Sequence, residues 1–110
     1  PVAEVLHGYG HAIHSYVSPM TALRDLIAEP QRYDLLICDL MMPELTGEEL
    51  AAAVRRAGLR LPIVLCSGSA DARLLDRMAP LSISALLNKP VAVAELLAAI
   101  EQATAALPLL

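Results

Sequence analysis

Three short apolar runs, at residues 34–38, 62–66 and 84–88, are separated by stretches of helical periodicity. Apolar runs this short, without polar alternation, suit strands buried on both faces of a parallel sheet. Parallel neighbours need a long crossover, and a helix supplies it. The intervening segments carry helix punctuation. Ser18-Pro19 reads as an N-cap followed by a first-turn proline, with Met20, Leu23, Leu26 and Ile27 at helical spacing until Pro30. Thr46-Gly47-Glu48-Glu49 reads as a capping box, opening a helix that turns Leu50, Val54 and Ala57 inward and stops near Gly58. A modest helix is expected from Asp71 to Met78, and a longer final one carries Val93, Leu97, Ile100 and Leu107 on one side. Upstream, Pro1 to Leu6 reads as a helix and His11 to Tyr16 as a further strand. Strict alternation of this kind predicts an α/β fold, a doubly wound parallel sheet with right-handed crossovers.

In such sheets the ligand site lies beyond the carboxyl ends of the strands. The three apolar runs lead into Asp39, Ser67 and Lys89, so a carboxylate, a hydroxyl and an ammonium are expected on one edge. Asp39 closes a buried apolar run, where an unpaired carboxylate would cost several kcal/mol. It must therefore meet a cation or reach the rim; as a plain helix cap it would duplicate Thr46. Ser67, in Ser-Gly-Ser, is also ordinary turn chemistry. Lys89 is the only lysine of the chain and precedes Pro90, which invites a cis bond. The three groups together describe a site for a phosphoryl group. The carboxylate would be the nucleophile, Lys89 and Ser67 would contact the phosphoryl oxygens, and a divalent ion would screen the remaining charge.

Composition narrows the alternatives. With 110 residues, 56% of them hydrophobic, the chain suits one folded domain, and no apolar run approaches the ~18 residues of a membrane span. Twelve acidic against eight basic side chains give a net charge of −4, which with no Trp or Phe argues against a nucleic-acid surface. Cys38 and Cys66 are too few for a disulfide framework and suit a reducing cytoplasm as buried, inert thiols close together on adjacent strands, facing away from the site. Cys66 and Arg73 invite comparison with cysteine phosphatases, but the six residues between them are one more than that loop uses. His7, His11 and His14 do not share one face of a helix or strand, so a loop-and-surface reading displaces a metal site.

The sequence resembles the receiver domain of two-component response regulators. The resemblance rests on residues 33–47 (Tyr-Asp-Leu-Leu-Ile-Cys-Asp-Leu-Met-Met-Pro-Glu-Leu-Thr-Gly), 62–68 (Pro-Ile-Val-Leu-Cys-Ser-Gly) and 86–91 (Leu-Leu-Asn-Lys-Pro-Val), in order and at fitting separations. It implies a flavodoxin-like sheet of order 2-1-3-4-5 and a receiver domain spanning residues 1–110. It also implies that Asp39 accepts a phosphoryl group from the phosphohistidine of a sensor histidine kinase or its phosphotransfer domain. Asp39 and the backbone carbonyl of Met41 would take Mg²⁺, Ser67 would turn toward the phosphoryl group, and Lys89 would pair with its oxygens. Met41 and Ser69 stand where the family tunes hydrolysis; neither is acid or amide here, so a long-lived phospho-form is expected. Such a domain is cytoplasmic and catalyses nothing beyond its own phosphorylation and dephosphorylation. It could stand alone, be the receiver of a larger regulator or belong to a hybrid sensor kinase, the last being favoured, and it could form a homodimer.

Two departures qualify the resemblance. The family opens with a central strand ending in two Mg²⁺-binding acids, whereas Pro1-Val2 resembles the helix after it, so the domain reads as N-terminally incomplete and a weak Mg²⁺ binder. The family often has an aromatic residue three before the lysine; Leu86 stands there. The alternative is a receiver-like interaction module that works without phosphorylation. Retention of Asp39, Ser67 and Lys89 speaks against it.

Overall fold

Three parallel strands form the centre of the computed structural model, which describes residues 16–68 and 72–104. They are β1 (Leu36–Asp39), β2 (Ile63–Ser67) and β3 (Ala85–Asn88), hydrogen-bonded in the order β1-β2-β3. The helices are α1 (Pro19–Ala28), α2 (Gly47–Arg56), α3 (Ala72–Met78) and α4 (Val93–Thr104), with short 3₁₀ turns at Pro30–Arg32 and Ala79–Leu81. This is the doubly wound arrangement expected, and the sheet is the 3-4-5 half of the expected order. The helix expected at residues 1–6, most of the strand expected at 11–16, and Leu107 lie outside the described residues.

Because side chains alternate along a strand, the register sorts the sheet into two faces. Leu36 pairs with Ile63, Cys38 with Leu65, and Leu65 with Leu86. This face carries the main core, where Leu26, Leu50, Ala51, Val54, Leu74 and Met78 of α1, α2 and α3 pack. The opposite face carries Val64 and Cys66, both buried, and α4 lies against β2 and β3 with Ala99 and Ile100 buried. The central strand, β2, is buried at every position, as its apolar run predicts.

The helix ends follow their sequence signals. Ser18 caps α1, its hydroxyl accepting from Thr21 N–H at 3.4 Å. The capping box of α2 is complete: Glu49 N–H donates to Thr46 Oγ1 at 3.0 Å, and Thr46 N–H donates to Glu49 Oε1 at 2.8 Å. At its other end Gly58, at φ 82°, closes the helix, with Gly58 N–H on Arg55 O and Leu59 N–H on Val54 O. Tyr16 holds the side of α1, donating to Asp25 Oδ2 at 2.9 Å with its hydroxyl 3.2 Å from that of Tyr33.

Several sequence expectations shift. β1 starts at Leu36 and includes Asp39, because Leu36 N–H on Pro62 O is the first bond of its ladder. α1 buries Pro19, Ala22 and Leu26, while Met20 and Ile27 are half exposed. Ala57 is exposed, since the chain leaves the helix there for the Gly58 turn, and Val93, at the first turn of α4, is exposed too. Cys38 and Cys66 stand on opposite faces: Cys38 is aligned with Leu65, Cys66 with Asp39.

Candidate functional site

The carboxyl ends of β1, β2 and β3 bring Asp39, Ser67 and Lys89 together. Asp39 is the last residue of β1 and Ser67 the last of β2, and Lys89 follows β3 directly. The backbone ladder continues one step past the strands on both sides: Leu40 N–H donates to Cys66 O and Lys89 N–H to Ser67 O, each at 2.8 Å. These two bonds fix the chain just after Asp39, and at Lys89, against the end of β2.

Asp39 and Lys89 come from the outer strands of the three, two strand spacings or roughly 10 Å apart. The long lysine side chain closes that distance, and Lys89 Nζ lies 2.9 Å from Asp39 Oδ1. The peptide bond between Lys89 and Pro90 is cis, as the sequence invites. Both side chains are partly open, Asp39 at 27% and Lys89 at 44%, so the carboxylate reaches the rim and also meets the cation its position demanded. Ser67 is buried between them, the one polar residue of the core among those described.

The loop after β1 approaches α2 closely. Gly47 N–H donates to Leu40 O at 2.7 Å, and a Cβ on Gly47 would lie 2.5 Å from the Asp39 carbonyl oxygen. Glycine there lets the first turn of α2 sit against the end of β1. Met41, two residues past Asp39, is 77% exposed at the site.

Other candidates do not join this cluster. Burial, then the nearby Cys66 and Asp39, pushes the Cys38 thiol up to about 12, far from a reactive thiolate. Cys66 is buried whereas Arg73 is exposed, so they line no common cradle. His7, His11, His14 and Ser69 lie outside the described residues. Leu86 is partly buried and packs against the main core.

The Mg²⁺ that the resemblance implies would be held by the Asp39 carboxylate with the Met41 backbone two residues on, and no group of three His, Cys, Asp or Glu side chains gathers among the described residues. That set suits an ion that keeps its waters and is held chiefly by one carboxylate and phosphoryl oxygens.

Sequence reading missed two features of the site. Glu44 has a φ of 73° in the loop after Asp39, and its Oε1 accepts a hydrogen bond from Ser18 Oγ at 2.7 Å. Gly47 was legible as part of a helix cap and as the last residue of the 33–47 motif, but neither marks the close approach to the end of β1.

The family pattern described as response regulator receiver domain matches residues 2–101. The probable transcriptional regulatory protein SilR of Salmonella typhimurium is 33% identical over 72 residues, covering 66% of this chain; the chain spans about a third of that relative, 32%. Among solved structures, the signal receiver domain of a putative Luxo repressor protein from Vibrio parahaemolyticus superimposes with a TM-score of 0.79 at 15% identity, covering 88% of this chain and 73% of that one. The signal receiver domain of a modulated diguanylate cyclase from Desulfovibrio desulfuricans G20 is 32% identical with a TM-score of 0.64, covering 82% of this chain and 70% of that one.

Proposed function

This chain belongs to the response regulator receiver domain family, and from that premise we propose that it takes a phosphoryl group onto Asp39 from a phosphohistidine. The donor would be a sensor histidine kinase or its phosphotransfer domain, in the cytoplasm. The observation that carries the reading is the 2.9 Å Lys89–Asp39 contact across the end of β2, beside Ser67.

An Asp39 carboxylate oxygen attacks phosphorus; a P–O bond forms as the P–N bond to the donor imidazole breaks. The nitrogen keeps that electron pair and leaves as histidine. The Lys89 ammonium, already against Asp39, follows the negative charge onto the phosphoryl oxygens. The Ser67 hydroxyl donates to another of those oxygens, which draws the chain after β2 toward the rim. Mg²⁺, when bound through Asp39 and the Met41 carbonyl, screens the charge of the incoming group. The protein is then substrate and catalyst of its own modification, not an enzyme for a separate substrate. Phosphorylation shifts an existing conformational equilibrium.

The test is a beryllofluoride titration with Mg²⁺, followed by backbone amide NMR. Saturable shifts centred on Asp39, Ser67 and Lys89, lost in Asp39→Asn with the fold intact, are expected. A response that persists in Asp39→Asn overturns the assignment of the nucleophile. No response either in this chain or in one extended upstream of Pro1 favours a module that binds its partner without phosphorylation.

A further inference from the structure

The loop between β1 and α2 holds an uncommon backbone conformation. Among the described residues, Glu44 and Ser82 are the non-glycine residues at positive φ. Ser82, at φ 53° and ψ 51°, lies in the ordinary left-handed well. Glu44 is different. Leu45 N–H donates to Pro43 O at 2.8 Å, which closes a three-residue ring around Glu44 at φ 73°. That is the positive-φ form of the γ-turn, the rare and strained one. A strained residue persists when its surroundings hold it, and such residues gather at functional sites.

What holds this one is visible. Glu44 Oε1 accepts from Ser18 Oγ at 2.7 Å, the side-chain hydrogen bond that residues 41–45 make among the described residues. The same Ser18 oxygen accepts from Thr21 N–H as the cap of α1. One hydroxyl thus ties the first turn of α1 to the loop leaving Asp39. On either side the loop is anchored: before it by the backbone bonds of Leu40 to Cys66 and Gly47, after it by the side-chain-to-backbone capping box of α2. Met42 and Leu45 pack against the core, and Met41 stands exposed between these anchors.

We infer that Ser18 and Glu44 are positioning residues for phosphoryl transfer: their hydrogen bond holds the γ-turn and with it fixes the Met41 segment beside Asp39. The consequence for transfer rests on Asp39 being the phosphoacceptor; the clasp itself does not. Loss of the clasp releases residues 41–45, and the bound phosphoryl group loses a fixed wall.

Two measurements on the full chain separate these levels. The first is amide hydrogen exchange at Leu45 without any phosphoryl analogue. Ser18→Ala and Glu44→Ala speed it by about fivefold to tenfold, the change expected from one lost hydrogen bond. Ser18→Thr and Glu44→Gln, which keep a hydroxyl donor and a side-chain acceptor, stay near wild type. Glu44→Ala leaves the α1 cap in place, so it decides the matter if Ser18→Ala loosens the whole helix. Leu45 exchange unchanged in Glu44→Ala overturns the clasp. The second is beryllofluoride affinity with Mg²⁺: a severalfold loss in both alanine variants, rescued by Ser18→Thr and Glu44→Gln, is expected. Faster exchange with unchanged affinity reduces the pair to a structural contact and overturns the positioning role. If neither the wild type nor a chain extended upstream of Pro1 responds to beryllofluoride, the phosphoacceptor reading fails, and with it the role in transfer, while Leu45 exchange still decides the clasp.

Discussion

Gly47 is the residue with the least room to change. A Cβ there would meet the Asp39 carbonyl oxygen at 2.5 Å, the Leu40 Cα at 3.0 Å and Leu65 Cδ2 at 3.1 Å. Two of those atoms are backbone, so relief requires moving the strand end that presents Asp39. Gly47→Ala should therefore destabilise the protein by about 1–3 kcal/mol, although alanine is the better helix former by roughly 1 kcal/mol. Urea unfolding checks this as a lower midpoint at constant slope; a neutral or stabilising result would show that the close approach is not real. At this scale the sequence was legible wherever chemistry coincides with a strand end, as at Asp39 and Lys89. It was not legible at Glu44, because a glutamate in a loop carries no mark of a positive φ, and Ser18 lies 26 residues from it.

At the scale of elements, Arg55 in the last turn of α2 does more than complement a helix end. Its Nη1 donates to the carbonyls of Leu59 and Leu61, its Nε to Leu81 and its Nη2 to Ser82, at 2.8 to 3.1 Å. One side chain so joins α2, the connection into β2 and the corner leading into β3. Burial and the neighbouring Arg60 lower its pKa, yet a guanidinium stays protonated. Arg55→Ala strands carbonyls that are mostly half buried and should cost about 1–3 kcal/mol. Arg55→Lys should recover only part, since an ammonium cannot reproduce the fork. Thermal unfolding of both variants tests this; full recovery by lysine would contradict it. Periodicity does not reveal such a hub, because its partners lie up to 27 residues away. The centres of the elements were readable from apolar runs and caps. Their edges were not, as Ala57 and Val93 show: each sits at a helix end, where the winding that sets a buried face stops or starts.

For the whole molecule, the sheet sets a width that the Lys89 side chain spans to reach Asp39, and the net charge bears on which partners suit the domain. A net charge of −4 gives no counterion-release driving force toward nucleic acid. The chain alone should show no binding to duplex DNA by fluorescence anisotropy at physiological salt, and micromolar affinity would refute that. The parallel run of β1, β2 and β3 was legible because each crossover carries a helix, their order followed only from the family resemblance, and the edge where the site lies follows from the strands being parallel. The division of the core between two faces was not, since it depends on register, which places Cys38 and Cys66 back to back across the sheet.

The pairing of Asp39 with Lys89 has a spectroscopic consequence. Lys89 is the sole lysine of the chain, so the molecule carries one side-chain amine, and that amine touches the candidate nucleophile. Reductive methylation with ¹³C-formaldehyde, which preserves the positive charge, therefore writes one side-chain methyl signal into the spectrum. Its chemical shift reports directly on what Asp39 is holding, with no engineered label.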